Sequence, residues 1–377
     1  MHTRTGKDTK LSIVVPCFNE EKTLRKCIEK VLEIADETLS LEIIIVDDGS
    51  SDQSLIIARE LENKYQEIVV LSHKKNQGKG AALRTGIQRV TGDFVAVQDA
   101  DLEYNPMEFK KLLVPLINDK ADVVFGSRFL SAGYHRVLYF WHYQGNRFLT
   151  FLSNMFTDLN LTDMETCYKV FKREIIQNIQ IKENRFGFEP EIVAKVAHMR
   201  LRIFEIGISF YARTYEEGKK IGVKDGVRAL YCIFRYNAHF APIPIQFLIY
   251  IFIGSFCAVV NLFVFLGLFK TGFVITIASP AAFIIAAIVN YFLCILLLFK
   301  HKVRWNTKTE ATLFLLIVVF VGACDLGLTK MFLLFGMYAG VSKLLASGGC
   351  LLLNFLGRRF LVFPEPSSGP WKPQENK

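Results

Sequence analysis

Asp99-Ala100-Asp101 places two carboxylates one residue apart, at the end of the apolar run Phe94 to Val97. A hard divalent cation takes oxygen ligands, commonly one or two carboxylates together with the phosphates of a substrate. The triplet therefore suits a diphosphate-bearing molecule bound with Mg²⁺ or Mn²⁺, with Asp101 and Asp99 as candidate metal ligands. On spacing alone it equally suits a solvated turn after a strand. Two further polar clusters follow apolar runs: Pro16-Cys17-Phe18-Asn19-Glu20 and Asp47-Asp48-Gly49-Ser50. Singly, Asn19 and Ser51 read as helix caps and Asp47 to Ser50 as a turn. Jointly they describe one acidic crevice, in which Asp48 accepts hydrogen bonds from a base or ribose and Asp101 takes the metal.

The elements that position these clusters are short apolar runs: Leu11 to Pro16, Leu41 to Val46, Ile68 to Leu71, Phe94 to Val97 and Val123 to Phe125, separated by helical patterns. Near-continuous apolar strands alternating with helices predict an α/β domain with a mostly parallel sheet covered on both faces. Ligands of such sheets bind beyond the carboxyl ends of the strands, where all three acidic clusters fall.

The chain has 377 residues, of which 51% are hydrophobic and 21% charged. The two kinds are segregated. Charges recur every few residues up to about residue 240 and nearly vanish from Ile243 to Phe363, so a boundary is expected at Ala241-Pro242-Ile243-Pro244. Four apolar segments follow, Ile245 to Phe269, Phe273 to Phe299, Thr312 to Tyr338 and Val341 to Phe363, each near the roughly 20 residues that cross a bilayer core. Lys300, Lys302, Arg304 and Lys308 follow the second, and Arg358-Arg359 close the fourth. The positive-inside rule then puts both termini in the cytosol, in agreement with a polar start that offers no signal peptide. Eight cysteines without metal spacing read as small core residues in a reducing compartment. The net charge of +9 suits anionic lipid headgroups; no basic helix or aromatic-basic ribbon points to nucleic acid.

The apolar half repeats itself. Asn261 and Asp325 stand 64 residues apart, as do Asn290 and Asn354, Phe256 and Phe320, and Phe299 and Phe363. Two helical hairpins running in the same sense are implied, as in parallel-repeat transporters. Polar residues at membrane depth either bond helix to helix or line a path for a lipid or sugar.

The soluble half resembles glycosyltransferase family 2, in particular its polyprenyl-phosphate hexose synthase branch, typified by dolichyl-phosphate mannose synthase. The resemblance rests on Val15 to Glu20, Val46 to Ser50, Asn76-Gln77-Gly78-Lys79-Gly80, Asp99 to Glu103, Gly126-Ser127-Arg128, and Arg213 with Gly218-Lys219-Lys220. It implies a GT-A fold in which Pro16, Phe18, Glu20, Val46 and Asp48 hold the nucleoside. Asp99, Ala100 and Asp101 would then serve ribose, sugar and metal, with Glu103 beside them, and Arg128, Arg213 and Lys219 or Lys220 the phosphates. Phe18 stands where a tyrosine is frequent, Glu103 where glutamine or serine is, and the Gln-x-x-Arg-Trp of polymer-making members is absent. Asn290-Tyr-Phe-Leu and Asn354-Phe-Leu-Gly-Arg-Arg resemble the GtrA-like membrane family over residues 243 to 363.

Between the motifs, His135 to Thr157 is aromatic and basic, and Arg136 and Arg147 are candidate lipid-phosphate ligands. Asp163 falls where the family's catalytic base has been placed. An acceptor phosphate has its second pKa near 6 and needs little deprotonation, which favours orientation or organisation of basic residues instead. Val223, Val227, Leu230, Tyr231 and Phe234 opposite Lys224, Arg228 and Arg235 predict a helix lying in the membrane interface.

The expected organisation is a cytosolic GT-A domain over 1–215, interfacial helices over 216–242, a four-helix transmembrane domain over 243–363 and a polar tail over 364–377. The expected reaction is inverting transfer of a hexose, mannose before glucose, from GDP-mannose or UDP-glucose to a polyprenyl phosphate. A homo-oligomer is compatible with this organisation. Competing readings are a lipid-linked sugar transporter or scaffold whose soluble half only binds, and an enzyme acting on a lipid alcohol.

Overall fold

A computed structural model describes residues 9–130, 139–211, 222–299 and 305–364. Two compact units meet in sequence between Asn237 and Ala238.

The first unit is built on a seven-stranded sheet of order β3-β2-β1-β4-β6-β5-β7. Its strands are β1 Thr9–Cys17, β2 Leu39–Asp47, β3 Ile68–Ser72, β4 Phe94–Val97, β5 Val123–Ser127, β6 Lys169–Lys172 and β7 Ile203–Gly207. The pairs β2–β3, β1–β2, β1–β4 and β5–β7 are parallel, whereas β6 runs antiparallel between β4 and β5. Leu11, Ile13, Val14 and Val15 of β1 are all fully buried, because helices cover both faces of the sheet and side chains of either parity meet apolar neighbours. The connecting helices are α1 Leu24–Leu32, α2 Ser54–Lys64, α3 Lys79–Ile87, α4 Glu108–Ile117, α5 Phe140–Thr157, α6 Arg173–Asn178, α7 Phe188–His198 and α8 Val223–Asn237.

The five expected strands are present. The sequence pattern does not disclose β6 and β7. β6 is four residues long and begins and ends in lysine. Its Lys169 is fully buried, with the ammonium donating to the carbonyls of Met164 and Thr166. β7 is an edge strand with half-buried residues and an exposed Phe204.

Glycine fixes the approach of α3. Gly78 has φ +102°, a conformation that excludes most side chains, and a β-carbon on Gly80 would collide with the Glu183 carbonyl. The helix thus begins against residues 183–184, and the Ala81 amide donates to Asn184 O at 3.1 Å.

The second unit holds α9 Ile243–Lys270, α10 Ile275–Leu297, α11 Thr307–Leu334 and α12 Ala339–Gly357, which ends in a wider turn over Arg358–Val362. Among the described residues, Ile243–Leu268 and Thr307–Leu334 are long and apolar enough to cross a membrane, and α10 carries the shorter apolar stretch Ala281–Leu297. At about 1.5 Å per residue, such helices exceed a hydrocarbon core of about 30 Å. α9 packs with α10 and α11 with α12, as the repeat predicts. Phe299 and Phe363, equivalent in the two copies, stack with ring centres 5.0 Å apart. All eight cysteines are free thiols.

Gly80→Ala is expected to lower stability by about 1–3 kcal/mol, the usual effect of forcing a carbon into a packed contact. Gly226, inside α8 with no atom near its vacant β position, gives the opposite sign on substitution by alanine, up to about 1 kcal/mol more stable. Thermal unfolding of the two variants in detergent checks both directions.

Candidate active site

A cleft of about 390 Å³ opens at the carboxyl ends of β1, β2 and β4. Pro16, Phe18 and Glu20 line it from the β1 end, Asp48 from the β2 end, and Asp99, Ala100, Asp101 and Glu103 from the β4 end. Arg128 enters from the end of β5. The three acidic clusters expected to share one crevice do so. Val46 is the exception. Its side chain is completely buried in the sheet and adds nothing to the cleft. Arg136, Arg213, Lys219 and Lys220 lie outside the described residues.

The loops that turn at these strand ends are conformationally demanding. Asn19 has φ 54° and Leu102, directly after Asp101, has φ 63°. The left-handed region is uncommon for asparagine and a true outlier for a bulky leucine, and such outliers cluster at functional sites.

Asp48 is only 2% exposed, and its carboxylate accepts from the Gln77 amide at 3.0 Å and the Gly78 amide at 2.6 Å. His73 Nδ1 lies 2.7 Å from Asp48 Oδ1. One side chain thereby ties the end of β2 to the loop that opens α3. It also lines the cleft, so nucleoside contact remains compatible with this anchoring.

Lys79, one residue past that loop, reaches Asp99 at 2.9 Å and Glu189 Oε1 at 3.0 Å. Burial opposes its charge, but Asp99 beside it more than restores it and lifts the ammonium above its ordinary value. Asp99 is therefore committed to a protein cation. Asp101 Oδ1 accepts from the Glu103 amide at 3.2 Å, and Asp101 lines the cleft as a candidate metal ligand. Among the described residues no cluster of three or more ligating side chains occurs. A hard cation completed by substrate phosphates needs fewer, so the donor set fits one cation held by Asp101 and a diphosphate.

Asp163 is fully buried and does not line the cleft. Both its oxygens are taken by Arg128: Nε and Nη2 each donate at 2.7 Å, and the Arg128 amide donates at 3.0 Å. Asp163 as a catalytic base facing substrate is thus corrected to Asp163 as the clamp on Arg128, because it is buried away from the cleft and its carboxylate is held in an ion pair at both oxygens. Glu205 of β7 holds the clamp in turn, accepting from the Thr162 and Asp163 amides at 2.9 and 3.1 Å.

Lys79, Glu165 and Glu189 line the cleft without having been singled out from the sequence, and Lys169 and Glu205 adjoin its residues without lining it. Lys79 carried a signal, a lysine flanked by two glycines at a helix start. Glu165 and Glu189 line the cleft, and Glu165 Oε1 and Glu189 Oε2 are enclosed without a hydrogen-bond partner. Burial first and Glu189 second push the Glu165 carboxyl up to about 8, and burial holds the Lys169 ammonium below its ordinary value.

Outside the cleft, α5 and α8 pack together and leave apolar side chains in solvent. Trp141 is 79% exposed and Val227 62%, and Phe140, Phe148, Phe151, Leu230 and Tyr231 accompany them. The buried side of α8 includes Ala229, Cys232 and Ile233, so Val227, Leu230 and Tyr231 of the predicted apolar stripe face away from the core, whereas Phe234 packs edge-on against Phe156 of α5. Arg147 is exposed on α5, its guanidinium 5.6 Å from the Tyr143 ring centre.

Residues 12–180 match glycosyl transferase family 2, and residues 249–363 match the GtrA/DPMS transmembrane domain. A dolichyl-phosphate beta-glucosyltransferase of Trichomonas vaginalis is 27% identical over 219 residues, 53% of this chain and 65% of that protein. A second protein of that name from the same organism is 29% identical over 228 residues, again covering 53% and 65%. A UDP-N-acetylglucosamine–dolichyl-phosphate N-acetylglucosaminyltransferase of Methanococcus voltae is 24% identical over 241 residues, 59% of this chain and 94% of that protein. Among solved structures, glucosyl-3-phosphoglycerate synthase of Mycobacterium tuberculosis, crystallised with Mn²⁺ and UDP, aligns with a TM-score of 0.48 at 19% identity over 61% of this chain and 80% of that one.

The raised Glu165 pKa fixes a pH dependence. The folded protein binds a proton that the unfolded chain releases at about 4.5, so this contribution to stability is complete below pH 4.5 and is lost as pH rises through about 8. Glu165→Gln removes the titration. Thermal unfolding between pH 5 and 8.5 is expected to fall less steeply with pH in the variant than in the parent protein, and equal slopes would refute the assignment.

Proposed function

We propose, from the family 2 glycosyltransferase domain and the GtrA/DPMS transmembrane domain that this chain joins, that it transfers a hexose from a nucleotide sugar to a polyprenyl phosphate at a membrane surface. The observation that carries the reading is the strand-end cleft in which Asp101 and an Asp163-clamped Arg128 face the same space. An acceptor phosphate oxygen forms a bond to the anomeric carbon, the bond from that carbon to the nucleoside diphosphate breaks, and the electron pair leaves with the diphosphate. The configuration at that carbon inverts. Mg²⁺ or Mn²⁺, when bound, supplies charge stabilisation to the leaving diphosphate.

This chain's own residues do the rest. Arg128, fixed in orientation by two hydrogen bonds, presents preorganised positive charge to the departing group. Lys79 keeps Asp99 close to the cleft and reduces the density of negative charge that a diphosphate meets. Arg213 and Lys219 or Lys220 are assigned to the phosphates by the family motif alone. No general base is required, since a phosphate monoester is largely ionised at pH 7. The commitment of Asp163 to Arg128 agrees with that.

The exposed apolar faces of α5 and α8 support a site held against lipid, with Arg147 of α5 as a phosphate ligand there, and Arg136 is assigned to the lipid phosphate from the sequence alone. Four membrane crossings with both termini cytosolic complete the arrangement and bring a soluble donor and a lipid acceptor to the same side. Among donors, UDP-glucose comes first, because two of the relatives carry glucosyltransferase names; GDP-mannose and UDP-N-acetylglucosamine follow.

The full chain in lipid nanodiscs with undecaprenyl phosphate and each labelled donor should yield an organic-extractable sugar lipid. Asp101→Ala and Arg128→Ala should each lower the rate about 100-fold or more, the scale of losing one charge-stabilising group. Asp163→Asn should cost about tenfold by loosening Arg128, without shifting the pH–rate profile. Donor binding without product points instead to a binding scaffold, and a displaced acidic limb in Asp163→Asn to an alcohol acceptor that needs a base.

A further inference from the structure

Arg358 lies where the chain leaves α12 and is 5% exposed, and the described side chains it touches are uncharged. Its Nε donates to Asn354 Oδ1 at 3.0 Å, and its Nη1 donates to Asn290 Oδ1 and lies 3.8 Å from Cys294 Sγ. The guanidinium carbon is 4.2 Å from the Phe314 ring centre and 5.4 Å from that of Tyr250. Among the described residues no carboxylate pairs with Arg358, and Nη2 has no hydrogen-bond partner although it is not sealed from the surface.

Amides orient a cation and aromatic faces attract it, but neither neutralises it. A buried charge in an apolar helical unit is costly and marks a functional site unless it is paired. The construction is also specific. Asn290 and Asn354 are equivalent positions of the two repeats, and both turn their carbonyl oxygens to one guanidinium, which leaves its remaining edge for another partner. A planar guanidinium edge matches phosphate.

Depth narrows the partner. Four helix ends converge here: Arg359 Nε donates to Gln246 Oε1 near the start of α9 at 2.8 Å, Phe363 stacks on Phe299 just past α10, and Trp305 Nε1, just before α11, donates to Leu361 O at 3.0 Å. A tryptophan at a helix end is characteristic of the membrane–water interface, the depth at which lipid phosphates lie.

We propose that Arg358 anchors a binding site for the phosphate of a membrane lipid at this end of the helical unit. Asn290 and Asn354 hold the guanidinium in register, Phe314 and Tyr250 cover it, and Nη2 receives the phosphate. The site is independent of the transfer reaction; a chain that transferred nothing would still bind.

Native mass spectrometry of the full chain in detergent tests it, with undecaprenyl phosphate, phosphatidylglycerol and inorganic phosphate as separate probes. The parent protein is expected to retain a phosphorylated lipid that Arg358→Gln retains about tenfold less or weaker, the effect of one charge-assisted contact. Arg359→Gln, which removes a neighbouring charge, should bind as the parent does. Arg358→Lys, charged but lacking the fork, should fall between and decides the matter if Arg358→Gln does not fold. Preference between the two lipids identifies the source, and either supports the site. Equal retention by the parent and both Arg358 variants, no retained lipid in the parent, or a response to inorganic phosphate alone overturns it.

Discussion

Carboxylates at the ends of parallel strands repel one another and lose water as the sheet is covered, so a fold that gathers them must hold each one down. Here three of the acids in or behind the cleft are each bound by a donor from another element. Asp48 takes two loop amides and lies against His73, Asp99 takes Lys79, and Asp163 takes Arg128. These contacts connect the end of β2 to the start of α3, α3 to the end of β4, and the end of β5 to the loop before β6. Satisfying buried polar groups and shaping the strand-end cleft are thus the same physical event.

Glu165 is the group left over. Among the described residues its enclosed oxygen has no donor, and burial, with Glu189 beside it, pushes the carboxyl up to about 8. Lys169, pressed down by burial below the antiparallel strand, sits in the same neighbourhood. Arg128, by contrast, stays charged against burial because Asp163 overcompensates.

The helical unit follows the same rule in an apolar setting. Its repeat brings equivalent residues together, Phe299 against Phe363 and Asn290 with Asn354, so that two amides orient one guanidinium. The reading of these asparagines as bonds between helices holds for Asn290, whose partner Arg358 lies beyond another helix.

Sequence alone determined the alternation of strands and helices, the three acidic strand ends, the boundary between charged and apolar halves and the 64-residue repeat, because each is a local pattern that burial imposes on neighbouring residues. It could not determine β6, whose four residues are defined by pairing on both edges, nor the interior position of Val46. Nor could it show that Asp163 faces Arg128 across 35 residues, that Lys79 bridges Asp99 and Glu189, or that two asparagines of the repeat meet at Arg358. Those are decided in three dimensions, because the state of a buried charge depends on which group arrives beside it, and spacing along the chain carries no record of that distance.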